Sequence, residues 1–175
     1  MAKDNDETDP VDTIVREWQR ERPDLDPSPI GLFGRVHRVY LRYQAMLGRV
    51  FDEYNLNSAS FDVLASLRRA GEPYRKSGSE LAAGSLLSSA GVTLRLDRLE
   101  KAGLIERKRD VEDRRVVYSR LTQEGLRVIE KSIEAHLANE HRMLTRLTAE
   151  ERAQLGRLLA KLEGSIIEAA ATESG

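Results

Sequence analysis

Residues 92–125 read VTLRLDRLEKAGLIERKRDVEDRRVVYSRLTQEG, and the changes of period within them decide the fold. Val92, Leu96 and Leu99 recur at the three- and four-residue steps of one helix face, and Gly103 stands where a helix C-cap is expected. The period then becomes that of strands. Ile105 to Arg109 and Val116 to Leu121 read as two short strands, with Asp110-Val111-Glu112-Asp113 as the polar turn between them. Thr122 and Gly125 mark the return to helix. A hairpin with a charged tip is not stable alone, so it must lean on a helical body.

That body is legible on both sides. Upstream, Ser88 or Ser89 can open the helix that runs through Val92, and Ser77 with Glu80 has the capping-box spacing for a short helix through Leu81 and Leu86. Asn57 or Ser58 can cap a helix carrying Phe61, Leu64, Ala65 and Leu67, with Gly71 just past its end. Ser28-Pro29 reads as an N-cap followed by Pro at the first helical position. Behind it Leu32, Val36, Val39, Tyr43, Leu47 and Val50 form the stripe of a long helix to about Tyr54. Ile14, Val15 and Trp18 mark an earlier helix over 11–21, stopped by Arg22-Pro23. Downstream, Leu126, Ile129, Ile133, Leu137, His141 and Leu144 share one face of a long helix. Thr148 with Glu151 then opens a last helix bearing Leu155, Leu158, Leu159, Leu162 and Ile166.

Composition narrows the function. The chain has 175 residues, about one domain's worth, with 40% hydrophobic and 33% charged side chains. Three Phe, five Tyr and one Trp suit helices packed through aliphatic side chains better than a β-sandwich. No apolar run approaches the roughly 18–20 residues of a membrane span. The acidic start MAKDNDETDP has no apolar run of a signal peptide, so a cytoplasmic protein is expected. Without cysteine there is no disulfide scaffold, thiolate metal site or thiol-based oxidant sensor. The net charge of −1 conceals an asymmetry: residues 67–120 carry 13 basic against 8 acidic side chains, whereas residues 1–30 carry 4 against 9. Only the middle of the chain suits a polyanion.

An enzyme fits poorly. There is no Cys nucleophile, and Gly78, Gly84 and Gly91 are scattered, so they form no phosphate loop. His136 and His141 are five apart, where two zinc ligands on one helix face need four, and His37 is isolated. No metal or cofactor is expected. A helical interaction protein without DNA would explain the terminal helices and leave the basic middle unexplained.

The element order is therefore mainly α with a small β-hairpin wing: a winged helix-turn-helix whose N- and C-terminal helices form a dimerisation region, packing within one chain being the alternative. Residues 1–10 are expected to be a disordered acidic tail. Residues 11–54 supply an extra helix (11–21) and a long dimerisation helix, 55–122 the DNA-binding lobe, and 123–170 the C-terminal dimerisation helices.

Specific residues carry a resemblance. Asp97-Arg98-Leu99-Glu100, Gly103-Leu104-Ile105, Asp113-Arg114-Arg115 and Leu121-Thr122 with Gly125 resemble, at matching spacing, the recognition helix and wing of MarR-family transcriptional regulators. The resemblance extends over roughly 28–165 and implies a homodimer bound to palindromic operator DNA, with half-sites about one helical turn apart. Ser88, Ser89 and Thr93 then lie near the start of the recognition helix to meet bases or phosphates, and Arg98 is long enough to reach phosphate. Lys108, Arg109, Arg114 and Arg115 would set the wing against a minor groove or the backbone. For each Arg the alternative is a solvent-facing or intramolecular pair. Asp113 is expected to orient Arg114 or Arg115.

The extra N-terminal helix with the single Trp resembles the urate-responsive, PecS-like branch of the family. That branch implies a ligand set of Trp18, Asp62, Arg95 and Arg107. Leu94 departs from the Asn often found before the recognition-helix Arg. Urate is a planar anion that an Arg fork can pair and an indole can cover. Asp62, beside Phe61 and Leu64, needs a partner, for which Arg95 or Arg107 would serve. An entering anion would take Arg95 from Asp62 and shift the recognition helix. The alternative is that Asp62 and an Arg form a stabilising salt bridge while Trp18 merely packs the extra helix.

Overall fold

The computed structural model describes residues 9–83 and 92–172. They fall into two compact units divided between Ser58 and Ala59. The first unit holds α1 (Pro10–Glu21) and α2 (Ser28–Asp52). Asp9 and Pro10, expected in the tail, begin α1: the Asp9 carboxylate accepts the Val11 N–H at 2.9 Å and caps the helix. The rest of the expected tail, residues 1–8, lies outside the described residues. Asp9 and Asp12 both hold Arg35 of α2, at 3.0 and 2.8 Å. The helices are close enough that a Cβ on Gly34 would meet Val11 Cγ1 at 3.1 Å. At the start of α2 the expected cap is displaced. Ser28 is already helical and gives both its N–H and its hydroxyl to Asp26, each at 2.9 Å. Pro29 then sits at the second helical position, where its missing N–H is still no loss.

The second unit runs α3 (Ser58–Arg69, whose first residue lies at the boundary), β1 (Arg75–Ser77), α4 (Gly78–Ala83), α5 (Val92–Lys101), β2 (Ile105–Arg109), β3 (Val117–Leu121), α6 (Gln123–Met143) and α7 (Ala149–Thr172). The two wing strands stand where the period change places them. A third strand joins them: the antiparallel sheet has order β1-β3-β2, with Arg75 opposite Arg120 and Ile105 opposite Leu121. Arg-Lys-Ser shows no alternation, so β1 has no signature in the sequence; it is a strand because β3 offers it a pairing edge. The core is aliphatic, with Leu64, Leu67, Leu81, Leu99, Ile105 and Ile129 nearly inaccessible to solvent.

The elbow between α5 and α6 is held by backbone bonds. Gly103 adopts φ +71°, and its N–H and that of Leu104 return to the carbonyls of Glu100 and Leu99, the paired bonds of a Schellman cap. The Thr122 hydroxyl donates to the Gly103 carbonyl at 2.7 Å and accepts the Gly125 N–H at 3.0 Å, while the Thr122 N–H bonds the Leu104 carbonyl. A Cβ on Gly125 would lie 1.9 Å from that same Leu104 oxygen, so α6 can start here only on glycine. Both expected capping boxes form, Ser77 with Glu80 and Thr148 with Glu151. The Ser77 N–H and hydroxyl hold the Glu80 carboxyl below the usual carboxylate range.

Helix α7 differs from the rest. None of its described residues is buried, and Leu155, Leu158, Leu159, Ile166 and Ile167 are all exposed. No described helix is long and apolar enough to cross a membrane.

Candidate nucleic-acid interface

Helix α5 is anchored on one side and presented on the other. Leu96 and Leu99 are buried, whereas Thr93, Leu94 and Arg98 are exposed. Ser88 and Ser89, the other expected contacts at its start, lie outside the described residues.

The wing is shaped by its own acids. The Asp110 carboxylate accepts the N–H groups of Glu112 and Asp113 at 2.9 Å each, which holds its pKa below the usual range. The Asp110 N–H bonds the Val116 carbonyl and closes the turn. Asp113 accepts the backbone N–H of Arg115 at 3.0 Å. It thus acts on Arg115 through the backbone of the turn and makes no bond to the arginine guanidinium groups. Arg109, Arg114 and Arg115 are exposed and make no ion pair with a described residue. Lys108 is exposed too, paired to Glu106 at 3.1 Å.

Of the two arginines considered as partners for Asp62, Arg107 is engaged elsewhere. It does not serve as a partner for Asp62; it reaches from β2 to the side of α5, pairing with Asp97 at 2.7 Å and Glu100 at 2.5 Å. Its backbone N–H also donates to Glu100. The guanidinium holds the Glu100 carboxyl below the usual range. Two acids one helical turn apart on α5 form a fork for a single wing residue, so α5 and the wing are tied together. Arg107 also lines a groove of about 380 Å³ with Thr93, Arg115, Ser77, Ser79 and Ser119. The structure therefore groups it with two of the residues expected to meet DNA.

Asp62 is 8% exposed on α3, between buried Phe61 and Val63. Arg95 is half-buried on α5, next to Leu96. Trp18 belongs to α1 in the first unit and is 47% exposed.

Three residues of the basic surface escape the sequence reading. The Arg75 guanidinium lies 4.5 Å over the Tyr118 ring, and the sheet register sets Arg120 across from Arg75. The high cation count of residues 67–120 is the only signal of Arg75 and Arg120, and nothing marks Tyr118, because the grouping of the three depends on the strand β1.

Residues 56–117 match the MarR family. The chain is 40% identical over 157 residues to the HTH-type transcriptional regulator PecS of Dickeya dadantii (strain 3937), a match covering 90% of this chain and 95% of that protein. A mutant MarR from E. coli complexed with operator DNA has a similar structure, with TM-score 0.68 at 30% identity over 79% of this chain and 97% of that one. BpsR of Bordetella bronchiseptica, whose DNA binding is regulated by 6-hydroxynicotinic acid, aligns with TM-score 0.66 at 25% identity, over 75% of this chain and 98% of that one.

Proposed function

Because the chain belongs to the MarR family of DNA-binding transcriptional regulators, we propose that it is a repressor that holds palindromic operator DNA as a homodimer and releases it when a planar anion such as urate binds. The observation that carries the DNA reading is the union of α5 and wing through Arg107. One rigid piece presents Thr93 and Arg98 on the helix and Lys108, Arg109, Arg114 and Arg115 on the wing. A helix of this kind enters the major groove, and wing arginines favour the negative potential of a narrow minor groove. In a two-fold dimer two such pieces meet half-sites about one helical turn apart.

The effector reading rests on Trp18, Asp62, Arg95 and Arg107 together with the likeness to PecS. BpsR, answering to 6-hydroxynicotinic acid, supports a small planar acid as the class. Arg95 and Arg107 touch the recognition helix in two ways: one is part of it and the other clamps it to the wing. An anion that competes for either guanidinium changes how α5 is held. It acts only as far as it binds the released state more tightly than the DNA-bound one.

Calorimetric titration with urate and with 6-hydroxynicotinic acid tests the effector reading, run beside Trp18→Ala and Arg95→Ala. Saturable binding that both variants lose is expected. Unchanged binding by both variants would remove these residues from the site. DNA affinity should fall steeply with salt as phosphate contacts release counterions; a flat salt profile would favour a protein-interaction role.

A further inference from the structure

We propose that the outer face of the three-stranded sheet is a phosphate cradle, in which Arg75, Arg120 and Lys108 around the Tyr118 ring hold the backbone of DNA flanking the operator half-site. Alternation along β3 sends Ser119 and Leu121 into the core, and both are buried. Tyr118 and Arg120 therefore share the opposite face. The register adds Arg75 across from Arg120 and Lys108 across from Tyr118. Like charges directly opposite each other destabilise a sheet, so the Arg75–Arg120 pair is a cost that a bound anion would relieve.

The neighbouring acids are engaged elsewhere: Glu80, which feels the Arg75 charge, is held by the Ser77 N–H and hydroxyl. Glu106, across from Arg120, is paired with Lys108. Asp110 is close enough to feel the Arg75 charge, but its carboxylate already accepts two backbone N–H groups. Neither Arg75 nor Arg120 makes an ion pair with a described residue. The Arg75 guanidinium sits over the Tyr118 ring, a cation–π contact that positions it without using up its N–H donors. These residues, with Pro73, line a cleft of about 110 Å³. That is small beside the roughly 300–1,000 Å³ of a pocket for an organic ligand, and it suits a phosphate group with water. The same hairpin carries Arg114 and Arg115 in its connecting turn. A duplex held by that turn would continue along this face.

The inference rests on the DNA-binding reading, and the test separates the two. A palindromic duplex is first selected by the protein from a random-sequence pool. Affinity is then measured against salt on the minimal duplex and on one extended by a turn at each end. The wild type should gain affinity from the extension and show a salt slope steeper by about two per chain, one unit per phosphate. Arg75→Gln/Arg120→Gln should lose that gain while binding the minimal duplex as the wild type does. Arg75→Lys/Arg120→Lys should recover the slope, and Arg120→Gln alone, which keeps the stack on Tyr118, should lose about half. Arg146→Gln/Arg157→Gln, which removes equal charge outside the cradle, should leave the gain intact.

Equal slopes for the wild type and Arg75→Gln/Arg120→Gln on the extended duplex would overturn the cradle and leave the DNA reading standing. So would a loss of the gain in the Arg146→Gln/Arg157→Gln control. Failure to select any duplex would overturn the DNA reading itself.

Discussion

The segment from α5 to the start of α6 and the helix α7 are built on opposite plans. In the first, nearly every turn is closed by a named bond: Gly103 to Glu100, Thr122 to Gly103 and Gly125, and Arg107 to Asp97 and Glu100. Leu96, Leu99, Leu104, Ile105 and Leu121 are buried in it, and its exposed apolar side chains are scattered, as at Leu94 and Val111. In α7 the cap is equally good, yet none of the described residues is buried and leucines and isoleucines remain in solvent. A good cap starts a helix; burial of an apolar face is what keeps it. The segment from α5 to α6 closes on itself, whereas the apolar side chains of α7 stay in solvent, and the proposed dimer would cover them.

The largest effect should come from Gly125→Ala, which drives a methyl group into the Leu104 carbonyl. A loss of about 3 kcal/mol or more in chemical denaturation is expected, since the obstacle is backbone and cannot swing away. A loss under about 1 kcal/mol would show that the elbow is not rigid. Next, Leu158→Glu with Ile167→Glu should shift the sedimenting species from two chains to one while far-ultraviolet dichroism stays helical. An unchanged dimer would remove α7 from the interface.

Thr122→Ala removes both a cap and the tie to Gly103, and should cost about 1–2 kcal/mol, with Thr122→Ser recovering most of it. The pH dependence is subtler. Glu100 has a lowered pKa in the fold, so its pairing with Arg107 stabilises the protein above the ordinary glutamate range. That contribution is lost as pH falls through the lowered value. Stability of Arg107→Ala should therefore fall less steeply over the acid limb than that of the wild type; parallel limbs would mean that the clamp contributes nothing. The smallest effect is expected for Thr148→Ala, about 0.5–1 kcal/mol, because that cap is exposed.

Local chemistry made most of the fold legible. The Ser77–Glu80 and Thr148–Glu151 spacings, the glycine after α5, and the switch to strand period at Ile105 each depend on residues within a few positions, and each forms as read. What escaped depends on distant partners or near-equivalent neighbours. β1 exists only because β3 lies beside it. At α2 the N-cap is Pro27, without a side-chain cap bond, and Ser28 is drawn into the helix while Asp26 accepts its N–H and hydroxyl. Arg107 could not be placed by pattern, since its two acids lie on another element and Asp62 looked equally needy. The need for glycine at position 125 is likewise a matter of the approach of Leu104, although its place in the motif was visible. Of the candidate interface, the exposed cations of the wing followed from their turn, whereas the flanking pair Arg75 and Arg120 on the sheet face required the register.

The most direct test of the account is the stoichiometry of the DNA complex. Sedimentation equilibrium of the protein with a selected palindromic duplex, and with the half-site alone, should give two chains on the palindrome and much weaker binding to the half-site. One chain bound to the half-site as tightly as to the palindrome would contradict the claim that a self-contained reading head works only in pairs.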